Sequence, residues 1–207
     1  MKSLSLARPL VIMLVGIPGS GKSFFARQFS DLFDAPIVSL DEIRHVLFSD
    51  PQFSRDEETL IAMVMRIQMK QLFRTQKTFL IDGGLNTRMA RMAIEKLAKQ
   101  YEYGTVTVWV QTDEDTSAYR SLKRHAKRPG DALNTSMSES VFINQAKRIN
   151  PPEEKEVHVV ISGKHTFATQ AKMVLRRIIV PRDQSTSPGS LRGDIAQQRT
   201  PSPRTNS

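Results

Sequence analysis

Short apolar runs alternate along the chain with amphipathic stretches. Residues 11–15 are apolar, rich in β-branched side chains and followed by Gly16, the pattern of a strand covered on both faces of a parallel sheet. A helix is expected over 23–33, its apolar side carrying Phe24, Phe25, Phe29, Leu32 and Phe33. A second strand is expected over 36–40. Ser54 and Glu57 form a capping-box pattern that opens a long helix to about Arg74. Its apolar stripe includes Leu60, Val64, Ile67 and Leu72, with Met63, Met65 and Met69 as core filler. Further strands are expected over 78–81, 105–110 and 157–161. Between them fall a helix over 88–100, one from a Thr112/Asp115 cap to 127, and one from a Ser136/Glu139 cap to Pro151-Pro152. A last helix covers 167–179.

Strands alternating with helices require right-handed crossovers, so the chain reads as α/β, a five-stranded parallel sheet covered by helices. Residues 1–180 make one domain, with a lid at about 120–138. Residues 181–207 are poor in apolar side chains and rich in Ser, Thr, Pro, Gln and Arg, a composition that does not form a core and is expected to be disordered. The absence of cysteine excludes disulfides, thiolate metal sites and a Cys nucleophile, and four scattered His without HExxH argue against structural zinc. Lys2 and Arg8 ahead of the apolar run imitate a signal peptide. That run instead feeds a glycine-rich loop and no Ala-x-Ala site follows, so a cytoplasmic protein without a membrane anchor is expected. Thirty Lys and Arg against 21 Asp and Glu leave +9, of which the tail's four Arg and two Asp hold +2. That surplus suits a polyanionic partner such as nucleic acid or nucleotide, or simply solubility.

One motif decides the class. Gly16, Ile17, Pro18, Gly19, Ser20, Gly21, Lys22 and Ser23 fit G-x-x-x-x-G-K-[ST] at every specified position, between an apolar strand and an amphipathic helix. Such a loop turns backbone N–H groups inward as a nest for phosphate, at the positive end of the following helix. Lys22 is placed to reach the β- and γ-phosphates of ATP, and the Ser23 hydroxyl to ligate Mg²⁺. The Asn-Lys-x-Asp base-reading pattern of GTPases is absent. The strand before Asp82 ends in a single acid rather than the adjacent acids of a motor ATPase. The expected fold is therefore a P-loop NTPase of the nucleoside- and nucleotide-kinase kind.

The P-loop, Leu40-Asp41-Glu42-Ile43-Arg44, Ile81-Asp82-Gly83-Gly84-Leu85-Asn86 and an Arg-rich lid occur in an order that resembles the P-loop kinases related to phage polynucleotide 5′-hydroxyl kinase, a group with zeta-toxin-like and small-molecule members. The resemblance spans roughly residues 11–179. It implies Asp41 as general base, Arg44 as a contact to an acceptor phosphate and Asp82 as a wall of the acceptor pocket. Gly84 stands where that family has Asn. Arg120, Arg124 and Arg128 share a helical spacing, and the lid pattern implies Arg128 first and Arg124 second as clamps on the transferring phosphoryl group. The plainer alternatives are a helix cap for Asp41, a surface role for Arg44, a hydrogen bond from Asp82 to the P-loop, and a solvated basic face. The expected activity is transfer of the ATP γ-phosphate to a hydroxyl, foremost a polynucleotide or nucleotide 5′-hydroxyl. A small-molecule kinase, or an ATP-dependent switch without transfer, are the other readings.

Overall fold

The computed structural model describes residues 8–123 and 138–179. Strands β1 (Leu10–Val15), β2 (Ile37–Ser39), β3 (Phe79–Asp82), β4 (Gly104–Gln111) and β5 (His158–Ser162) form one sheet in the order β2-β3-β1-β4-β5. Every pairing is parallel. Seven helices connect them: α1 (Lys22–Phe33), α2 (Leu40–Leu47), α3 (Arg55–Arg74), α4 (Arg88–Gln100), α5 (Glu114–Leu122), α6 (Glu139–Lys147) and α7 (Phe167–Ile178).

Central β1 is apolar throughout because both its faces are covered. Val11, Met13 and Val15 point into a core shared with α3 and α4, while Ile12 and Leu14 point into a second core under α1 and α7. Each such side chain, fully buried, stabilises the fold by about 1.5–3 kcal/mol. The frame around the carboxyl ends of β1, β2 and β3 is therefore rigid, and that is where open α/β sheets place ligands. Register pins the site: Asp82 pairs with Leu14 of β1 and Ser39 of β2.

Several local expectations shift. Helix α5 is capped by Asp113, which accepts the Thr116 N–H at 2.9 Å, because the expected cap Thr112 donates its hydroxyl to Ser20 O at 3.0 Å. Helix α6 is capped by Ser138, whose hydroxyl accepts from Val141 N–H; Ser136 lies outside the described residues. Ser54 caps α3 as expected, yet the Glu57 carboxylate accepts from Gln52 N–H at 2.9 Å rather than completing a box with Ser54. The buried row of α3 is Ile61, Met65, Met69 and Phe73: Met65 and Met69 fill the core as expected and Val64 and Leu72 pack against it, but Leu60, Met63 and Ile67 face outward. Phe73 sets that phase, edge-on to Phe79 and Tyr103 with centroids 5.3 and 4.9 Å away. On α1 the buried side is Phe25, Ala26 and Phe29, and Phe24 and Leu32 are exposed. Helix α2, which the apolar pattern alone did not indicate, begins at a Ser39 cap that accepts from Glu42 N–H at 3.3 Å.

Candidate active site

The loop from Gly16 to Ser23 leaves β1 and closes into α1. Its ammonium group, Lys22 Nζ, donates to the carbonyls of Gly16 and Ile17, both at 2.8 Å, which holds the charge over the mouth of the nest. The loop is braced from three directions. Asn86 Oδ1 accepts the Gly16 N–H at 3.3 Å. The backbone of Ser117 on α5 lies against Gly19. Behind the loop, Gly163 follows β5 so closely that a Cβ there would sit 1.8 Å from Ser20 O and 2.4 Å from Thr112 Oγ1. Only glycine fits between β5 and the P-loop.

On the other side of Ser23, one cleft is lined by Ser23, Arg27, Ser39, Asp41, Glu42 and Asp82. Asp41 and Glu42 occupy the first turn of α2, where the helix dipole favours negative charge. Burial pushes the Asp82 carboxyl above its ordinary 3.8, against the pull of a Ser23 hydrogen bond and the charges of Lys22 and Arg27; the charge of Asp41 adds to the rise. Asp82, Ser23 and Asp41 thus share one small electrostatic site at the ends of β2 and β3. Its hydroxyl and carboxylate oxygens are the donors a hard cation such as Mg²⁺ selects. Among the described residues no group of three or more His, Asp or Glu side chains is placed to hold a metal ion.

Arg44 lies elsewhere. Its guanidinium is buried against α3, with Nη2 2.6 Å from Glu58 Oε1, Nη1 3.8 Å from Glu57 Oε2, and the Phe53 ring 4.5 Å from Cζ. In this arrangement it braces α2 on α3. Arg120, in the last turn of α5, donates to Gly163 O at 3.3 Å. Arg124 and Arg128 lie outside the described residues. Gly84, where the resembling family has Asn, takes φ +72°, and a Cβ would meet Leu40 Cδ2 at 2.6 Å. The departure serves the approach of Leu40 to the loop after β3.

A second cleft of about 720 Å³ opens on the far side of the loop, lined by Ile17, Thr112, Asp113, Lys164 and His165 among others. Asp113 and Lys164 form an ion pair across it, and the Lys164 and Thr116 contacts hold the Asp113 carboxyl well below its ordinary value.

These elements, a strand–P-loop–helix unit within an all-parallel sheet, agree with a family comparison. The family described as AAA domain matches residues 11–152. The chain belongs to the AAA-domain family. A comparison with curated proteins returned no match. Among solved structures, this AAA-domain chain is similar to a sugar kinase from Janibacter sp. HTCC2649 at 13% identity, covering 82% of this chain and 93% of that one with a TM-score of 0.60. It is also similar to the Mycobacterium tuberculosis APS kinase solved with AMPPNP and APS, at 16% identity, 82% and 97% coverage and a TM-score of 0.60. A gluconokinase from Sinorhizobium meliloti gives 16% identity, 84% and 92% coverage and 0.55. At such identities the likeness is one of fold.

The AAA-domain site also uses residues to which the sequence reading gave no role. Arg91, fully buried on α4, donates to both Glu156 oxygens at 2.6 and 2.8 Å, to Leu85 O at 3.2 Å and to Asn150 O at 3.0 Å. Asn150 N–H in turn donates to Asn86 O at 2.8 Å. The side chain that holds the P-loop entry is thus tied to the segment after α6. Arg91 and Glu156 are 65 positions apart, and no local pattern links them. Gly163 and Thr112 likewise act through tertiary contact.

Proposed function

We propose that this protein is a Mg²⁺- and ATP-dependent phosphotransferase with a hydroxyl acceptor. The observation that carries the reading is the meeting of Asp41 and Asp82 with Ser23 of the P-loop in one cleft. ATP supplies the γ-phosphoryl group, and a bound Mg²⁺ would neutralise charge on its oxygens. The P-loop N–H groups and Lys22 hold the phosphates, while Ser23 and Asp82 are the residues that would hold the metal. Asp41 takes the proton from the acceptor hydroxyl as that oxygen bonds to the γ-phosphorus. The bond from phosphorus to the β–γ bridging oxygen breaks, and ADP leaves with that oxygen. Arg128 and Arg124 are proposed to steady the transferring group from the lid. The base of the nucleotide is proposed to lie in the cleft beside Ile17.

Two acceptor classes follow from the resemblance: a polynucleotide or nucleotide 5′-hydroxyl, with Arg44 on an acceptor phosphate, and a small hydroxyl compound. The charge of the cleft favours the second. Three carboxylates (Asp41, Glu42, Asp82) line it beside Arg27, and the Arg44 guanidinium is engaged by Glu58. A polyanion would meet like charge there, whereas a sugar or polyol offers hydroxyls to those carboxylates. The test is transfer of labelled γ-phosphate to sugars and polyols and, in parallel, to 5′-hydroxyl RNA and DNA, with Lys22→Ala as blank. Label on a small acceptor that vanishes in the blank supports the reading. Label on oligonucleotide alone reverses the choice of acceptor. ATP binding with no transfer to any acceptor supports the switch.

A further inference from the structure

The outward face of α3 carries a pattern that neither the core nor the active site uses. Leu60, Met63 and Ile67 are 41, 57 and 52% exposed and sit on one side of the helix, opposite the buried row from Ile61 to Phe73. Scattered exposed apolar residues need no explanation, but a stripe on one helix that carries its own charge code does. On the same face Asp56 lies seven residues before Met63 and Lys70 seven after, two helical turns each way, or roughly 10 Å along the axis. Both are exposed. The acidic residues of α3 are confined to its first turn, where Arg55 also stands on another side of the helix, and Arg66, Lys70 and Arg74 lie in its second half. The face is therefore self-complementary under a two-fold axis and under no parallel arrangement. Antiparallel pairing about Met63 sets Asp56 opposite Lys70 of a second copy and brings Leu60 beside its Ile67, one residue from direct opposition. Parallel pairing sets like charge on like.

We propose that this face of α3 is the isologous interface of a homodimer, two α3 helices crossing antiparallel at Met63. A two-fold contact of this kind needs the same patch on both subunits, and each cross-pair then occurs twice. Helix α3 is about 30 Å long, enough to carry apolar contacts at its middle and ion pairs at both ends. The Arg44–Glu58 contact ties α3 to α2, so the interface stands behind the helix that presents Asp41. The inference is independent of the phosphotransferase reading.

The test uses the full chain in sedimentation velocity between about 1 and 200 µM, the range suited to an interface at the small end of the size classes. Wild type is expected to shift from monomer to dimer across that range, and Met63→Lys to stay monomeric, with unchanged circular dichroism because the residue is exposed. Asp56→Lys and Lys70→Asp are each expected to raise the dimer Kd about fivefold or more, and the double swap to return it to within about twofold of wild type, since exposed pairs contribute a few tenths to one kcal/mol each and every pair occurs twice. The chain has no cysteine, so Met63→Cys reports one distance: mild oxidation is expected to give a covalent dimer, because residues facing across the axis lie within disulfide reach. A chain monomeric throughout, a dimer indifferent to Met63→Lys, or a double swap as weak as the two single changes combined would each overturn the proposal.

Discussion

Replacing Arg91 with Met removes the fully buried guanidinium that joins α4, the loop after β3 and the segment after α6. The side chain makes a bidentate contact with Glu156 and hydrogen bonds to Leu85 O and Asn150 O. Methionine fills much of the volume but leaves the Glu156 carboxylate, 8% exposed, with only the Glu153 N–H at 3.1 Å. Breaking one side of a buried pair costs about 3–5 kcal/mol, most of it the penalty of an uncompensated charge. For a domain of this size that is a fall in Tm of about 6–20 °C. Replacing both partners, Arg91→Met with Glu156→Leu, removes the stranded charge and leaves mainly the lost carbonyl bonds, at about 1 kcal/mol each. The double variant should therefore be more stable than Arg91→Met alone. The pH dependence has a definite sign. The Arg91 hydrogen bonds hold the Glu156 carboxyl below its ordinary 4.5, against desolvation, so the pair's contribution is present above about pH 4.5 and is lost as pH falls through the folded-state value. The gap between wild type and Arg91→Met must close in acid. Urea titration of the three proteins at neutral and acid pH measures this. A loss below about 1 kcal/mol for Arg91→Met, or a double variant no better than the single, would refute the reasoning.

Gly163→Ala puts a Cβ into Ser20 O and Thr112 Oγ1, so the P-loop must shift; an overpacking cost of about 1–3 kcal/mol is expected, read as a lower Tm and ATP binding weakened about fivefold or more in calorimetry. Asp82→Asn should raise the Tm of the nucleotide-free protein at pH 7. Burial lifts the Asp82 carboxyl above 3.8, so ionisation costs native stability as pH rises through that raised value, and the variant's gain should fade as pH falls toward 3.8. The same change should weaken the Mg²⁺ dependence of ATP binding, with Ser23 left as the other residue that would hold the ion. Asn86→Ala, which frees the Gly16 N–H, should weaken ATP binding several-fold, about the worth of one hydrogen bond of roughly 1 kcal/mol, with little change in urea stability.

The parallel sheet and the P-loop were legible in the sequence because each is written locally. Strand β1 is a continuous apolar run, and the loop's glycines and lysine follow at fixed spacing. Asp41 and Asp82 were legible for a related reason: each follows or ends a short apolar strand, which places it at the crevice whatever the helices do. Helix phase was harder to read. Leu60 and Met65 are equally apolar, and only the packing of Phe73 on Phe79 and Tyr103 decides which side of α3 is buried. The α5 cap moved from Thr112 to Asp113 because Ser20 O, 92 positions away, takes the Thr112 hydroxyl. The resemblance implies a phosphate contact for Arg44, yet Glu57, Glu58 and Phe53, which surround it, lie on the following segment. Arg91 and Glu156 find each other only through the fold.

The most direct test of the phosphotransferase account is the rate of labelled γ-phosphate transfer to acceptor by Asp41→Asn beside its affinity for ATP. Asparagine keeps the shape of Asp41 and cannot take the acceptor proton. The account predicts transfer slower by about 10²- to 10⁴-fold, with the Kd for ATP within about threefold of wild type. Wild-type transfer by Asp41→Asn would contradict it.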